Sequence, residues 1–83
     1  MERRFTLEGG GALTVREEGL RAVLAAQRPD DGRGLYRAYL LGPEGRALLG
    51  TMAPEGKILV IRRTLSLDEL RRQGAWPPCG GRA

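Results

Sequence analysis

Gly42-Pro43-Glu44-Gly45-Arg46 and Ala53-Pro54-Glu55-Gly56-Lys57 are two copies of one pattern: a small residue, proline, glutamate, glycine and a basic residue. Proline presets φ for the first turn position, glutamate tolerates the second, and glycine takes a left-handed third. The pattern predicts three-residue hairpin loops of type I with a glycine bulge. Gly42 then pairs with Arg46 and Ala53 with Lys57, which sets the register of strands 35–42, 46–53 and 57–64.

Counting outward from those turns sorts the side chains onto two faces. One collects Leu35, Arg37, Tyr39, Leu41, Ala47, Leu49, Thr51, Leu59 and Ile61. The other collects Tyr36, Ala38, Leu40, Leu48, Gly50, Met52, Ile58, Val60 and Arg62. Both are largely apolar, whereas a sheet with one wet face alternates more cleanly. The sheet is therefore expected to be covered on both sides, by curling over itself, by a helix or by a partner chain.

The same chemistry runs through the whole chain. An acidic residue precedes glycine at Glu8-Gly9, Glu18-Gly19, Asp31-Gly32, Glu44-Gly45 and Glu55-Gly56, at intervals of 10, 13, 13 and 11 residues. Turn signals at that spacing, with β-rich segments between them, predict a meander of short antiparallel strands.

The first half is less uniform. Residues 4–7 and 12–16 read as strands joined through Gly9-Gly10-Gly11. For residues 15–28 two readings compete. Thr14-Val15-Arg16-Glu17 fits a capping box, and Leu20, Val23, Leu24 and Gln27 recur at helical spacing up to Pro29. Gly19 opposes a helix interior at a cost of about 1 kcal/mol, and Glu17-Glu18-Gly19 repeats the hairpin chemistry. The recurrence favours strand, hairpin, strand.

Near the C-terminal end, Ser66 is an N-cap with Glu69 three residues on. Leu65 and Leu70 are placed for a hydrophobic staple, and Arg71 and Arg72 sit at the negative end of the dipole. Gly74 ends this helix, which must pack through Leu67 and Leu70. Residues 75–83, with Pro77, Pro78, Gly80 and Gly81, read as a Pro/Gly-rich tail whose start Trp76 pins to the body. The expectation is a mainly β domain over residues 1–74: a small antiparallel meander of five or six strands, a sandwich or partly closed barrel, with one short C-terminal helix.

Composition narrows the function. At 83 residues the chain makes one small domain with a thin core. It has no histidine and a single cysteine, Cys79, so no disulfide forms within it and zinc or haem has almost nothing to bind. No cofactor is expected. The longest fully apolar runs, 22–26 and 58–61, fall far short of the ~20 residues of a spanning helix. The start carries no apolar stretch of the secretory kind, and a reducing cytoplasm is the expected compartment. The net charge of +4 lies in the last third: Lys57, Arg62, Arg63, Arg71, Arg72 and Arg82 outweigh Asp68 and Glu69.

Enzymatic chemistry finds little support. Seven of the ten acids (Glu8, Glu17, Glu18, Asp30, Asp31, Glu44, Glu55) fall at turns and two serve the helix N-terminus, where solvent denies them shifted pKa values. Ser66, Thr14, Thr51 and Cys79 lack a histidine base. Gly9-Gly10-Gly11 is followed by strand-like residues rather than a phosphate-binding helix. The expected function is a non-enzymatic protein-interaction or structural module, associating through sheet faces or edges as a homo-oligomer or with another protein. Nucleic-acid binding by a small basic β-barrel is the alternative. For either partner the candidate binding residues are Tyr36, Tyr39, Arg62, Arg63 and Trp76. Tyr36 and Tyr39 point to opposite faces, as do Arg62 and Arg63, so the set does not gather on one surface.

Overall fold

In β3 (Arg21–Pro29) Ala22, Leu24 and Ala26 are buried and the residues between them are not. That period of two resolves residues 15–28 as strand, hairpin, strand. The computed structural model describes residues 2–83. β2 (Ala12–Glu18) runs into β3 through Gly19 and Leu20 alone, with Glu18 opposite Arg21 and Gly19 at φ 59°. Glycine at the first position of a two-residue loop matches the twist of the flanking strands. The helical spacing of Leu20 with Val23 and Leu24 is accidental: Leu20 is the turn tip, 83% exposed.

β1 (Glu2–Glu8) pairs antiparallel with β2, and β3 pairs along its whole length with β7 (Ile58–Ser66). β4 (Arg37–Leu41) and β5 (Arg46–Thr51) form a second hairpin, and the short β6 (Ala53–Glu55) pairs with the start of β7. After α1 (Leu67–Arg72) the chain returns as β8 (Gly80–Arg82). The strand order is β5-β4-β8-β1-β2-β3-β7-β6. Its two ends, β5 and β6, are consecutive in the chain and meet at Met52, so the sheet closes almost completely into a barrel. Met52 anchors that corner: it is buried, and its N–H donates to the Tyr36 carbonyl at 2.8 Å.

The strands number eight rather than five or six, for two reasons. The first is the break at Met52, which turns the expected strand 46–53 into β5 and β6. The second is Gly80–Arg82, which lies within the expected tail and pairs into the sheet as β8. β8 lies between β4 and β1, antiparallel to the first and parallel to the second. Ala75, Pro78 and Gly81 are buried. Glycine lets β8 lie close against the core at Gly81, where a Cβ would come within 2.6 Å of Leu13 Cδ2 and 2.8 Å of Leu7 Cδ2 and those leucines would have to shift. Trp76 is half-buried against the core, as its size suggests.

Both proline turns also differ from expectation. Leu41, not Gly42, is the last residue paired across β4 and β5, and it faces Arg46. Gly42 and Gly45 have backbone from the α1 exit where a Cβ would stand, and Glu44 N–H donates to the Gly74 carbonyl. The turn is moulded by that tertiary contact as well as by its own residues. In the second turn Glu55 faces Ile58 across the two-residue loop Gly56-Lys57, with Gly56 at φ 63°.

A one-residue slip moves a whole strand's side chains to the other face. Leu40 therefore faces Ala47, and Ala38 and Leu40 point inward with Ala47, Leu49 and Leu59. Arg37, Tyr39 and Leu41 point outward with Arg46 and Leu48. Fifteen apolar residues make the core, and no polar or charged side chain is buried among the described residues. The expected helix is present. Ser66 Oγ accepts from Glu69 N–H at 3.1 Å, and Leu67 and Leu70 are buried beneath it.

Candidate functional site

Since the barrel fills its own interior with apolar side chains, any binding takes place on its outside. Two outer faces offer themselves. The face of β1-β2-β3-β7 carries a shallow groove with a floor of Ala12, Thr14, Ala25 and Val60 between Arg4 and Arg62. Two of its arginines have carboxylate partners: Arg62 Nη1 lies 3.9 Å from Glu55 and Arg16 Nη2 lies 2.6 Å from Glu18. Arg4 and Arg21 form no ion pair among the described residues.

The face of β5-β4-β8 is different. Leu48, Tyr39 and Arg82 stand opposite one another on three adjacent strands. Arg46 leans over the Tyr39 ring with its guanidinium carbon 4.9 Å from the centroid, within cation–π range. Arg37 projects from the same side of β4, two residues before Tyr39. Among the described residues Arg37, Arg46 and Arg82 form no ion pair. Glu8, the neighbour of Arg82 in the parallel pairing, is the carboxylate closest in register and makes none with it. Leu48 remains 51% exposed and Tyr39 and Leu41 are half-buried. The result is a platform on the outside of the barrel with an apolar and aromatic middle and three guanidinium groups that form no ion pair.

The candidate residues read from the sequence scatter. Tyr39 is on this platform. Arg62 is on the other outer face. Arg63 reaches the opposite way from Arg62, and its Nη1 donates to the Leu49 carbonyl at 2.7 Å, tying β7 to β5. Trp76 packs against the core.

Tyr36 belongs to a structural cluster at one barrel end. Its ring lies under the Arg28 guanidinium at 3.8 Å, and its hydroxyl donates to Asp31 Oδ2 at 2.6 Å. That hydrogen bond, with a second from Arg33 N–H, holds the Asp31 carboxyl below its usual range, and the same bond pushes Tyr36 up. Arg28, with its side chain only 10% exposed, donates to the Ala83 carbonyl at 3.1 Å and lies 3.9 Å from Asp31. Its Nη1 and Nη2 are engaged by neighbours that close the barrel, while its buried Nε has no hydrogen-bond partner.

The platform residues Arg37, Arg46, Leu48 and Arg82 are missing from the sequence-derived set. Arg37 and Leu48 were placed on opposite faces by the register slip, and Arg82 was placed in a tail. The alternation of β4 held the signal, but the turn contacts that fix its partner's phase lie far away in sequence.

Compared with protein-family models, with curated proteins and with solved structures, the chain gives no significant match.

Proposed function

We propose that this chain is a small non-enzymatic nucleic-acid-binding module that works through the outer face of β5-β4-β8. The observation that carries the reading is the gathering of Arg37, Arg46 and Arg82 around Tyr39 with no carboxylate paired to any of them. Unpaired guanidinium groups on one face attract phosphates and release their counterions, and an aromatic ring among them offers a surface for bases. The carboxylates favour a binding role over a catalytic one: none is buried among the described residues.

Protein association, the first expectation from the sequence, is the second reading. Two of its premises weaken once the sheet is a barrel. One apolar face is the interior, and part of the β5 edge is occupied, its Leu49 carbonyl accepting from Arg63 Nη1. What favours it is Leu48, exposed at the middle of the platform, with Leu35 and Leu20 exposed elsewhere. A two-fold contact through the platform would set arginines against arginines, so this surface suits an acidic protein better than a second copy.

The test is purification of the tagged chain from cell lysate at low salt, with and without nuclease. Nucleic acid should co-elute, be removed by nuclease, and be absent from a variant with Arg37→Glu, Arg46→Glu and Arg82→Glu. Co-elution that survives those three substitutions would overturn the assignment to this face. Light scattering of the nuclease-treated sample should give a monomer.

A further inference from the structure

Resting on the nucleic-acid reading of the same platform, we infer that its ligand is a single strand rather than a duplex. Three features of the face lead there. The first is its shape. Duplex sequence is read by a helix or ribbon entering a groove, the major groove being about 12 Å wide. Nothing on this side of the barrel protrudes in that way. The β4–β5 connection is Gly42 to Gly45, folded back against Gln73, Gly74 and Ala75. α1 has only six residues and spends its two leucines on the core.

The second feature is the chemistry at the centre. Tyr39 with Arg46 stacked on it, flanked by Leu48 and half-buried Leu41, forms a patch of π and apolar surface. Phosphates alone have no use for such a surface, and the bases of a duplex are already stacked on one another. Bases of a single strand can leave the strand and lie on the ring, on the guanidinium plane or on Leu48.

The third feature is size. Three strands at about 4.8 Å spacing and the four-residue step from Arg37 to Leu41 give a patch of roughly 10 by 13 Å. That length suits a few nucleotides, with Arg37, Arg46 and Arg82 at its margins to take their phosphates. The guanidinium fork suits this geometry better than an ammonium would.

The experiment is a fluorescence anisotropy titration of the full chain against labelled oligothymidylate, oligouridylate and a duplex, each about 15 nucleotides long, at about 50 mM salt. Both single strands should bind at least tenfold more tightly than the duplex. With about three phosphates engaged, a fourfold rise in salt should weaken single-strand binding about 20-fold. Tyr39→Ala should cost about tenfold while Tyr39→Phe stays near the parent, because the ring and not the hydroxyl makes the stack. Arg37→Glu, at an exposed position outside the core, should weaken binding without altering the circular dichroism spectrum.

A duplex bound as well as or better than the single strands would overturn the inference and leave the nucleic-acid reading standing. Binding to none of the three would overturn both. Equal loss in Tyr39→Phe and Tyr39→Ala would overturn the stacking role, as would no loss in either.

Discussion

The backbone of Ala75 occupies the space that a Cβ on Gly42 would need. The turn between β4 and β5 and the exit from α1 are therefore fitted to each other, and this contact sets which residues of β4 reach the core. Gly42→Ala should destabilise the chain by about 2 kcal/mol or more, the range of overpacking in a fixed surround. Gly80→Ala should be neutral or stabilising by up to about 1 kcal/mol, since its position has open space and no positive φ. Urea denaturation of the two variants beside the parent checks both signs.

Residues 80–83 close the barrel. β8 supplies pairing to β4 and β1, Ala83 N–H donates to the Glu8 carbonyl, and Ala83 accepts from Arg28. Removing the four residues should lower the urea midpoint strongly, at a cost of about 3 kcal/mol or more from lost strand pairing and an uncovered core. A disposable tail would leave the midpoint unchanged.

The Tyr36–Asp31 pair ties the loop after β3 to the barrel end, and its contribution depends on pH in two windows. Asp31 titrates below its usual range in the fold, so its share of stability is present above about pH 4 and is lost as pH falls through the lower folded value. Tyr36 titrates above its usual range, so its share is present below about pH 10 and is lost as pH rises through the higher folded value. The stability difference between the parent and Tyr36→Phe should thus be greatest near neutrality and shrink at both extremes. Urea midpoints across the pH range measure it, and a difference independent of pH would contradict the coupling.

Leu20 and Leu24 lie at helical spacing yet play opposite parts. Leu24 is 1% exposed in the core, while Leu20 is 83% exposed at the turn tip. Leu24→Ala should cost about 2 to 5 kcal/mol, and Leu20→Ala should stay within about 0.5 kcal/mol of the parent. Thermal melts of the pair suffice, and a large loss at Leu20 would mean that the β2–β3 hairpin is misassigned.

Local chemistry determined the kind of structure and where the chain reverses. Acid–glycine pairs marked the turns and so the strands between them, and Ser66 with Glu69 marked the start of the one helix. These features depend on neighbours a few residues apart, and so a single chain displays them. The closed barrel, the role of residues 75–83 and the platform of Arg37, Tyr39, Arg46, Leu48 and Arg82 were decided only in three dimensions. Gly42 meets Ala75, and Gly81 meets Leu7 and Leu13, across long stretches of chain. Such contacts shift a strand by one residue, and one residue is enough to carry its side chains to the other face.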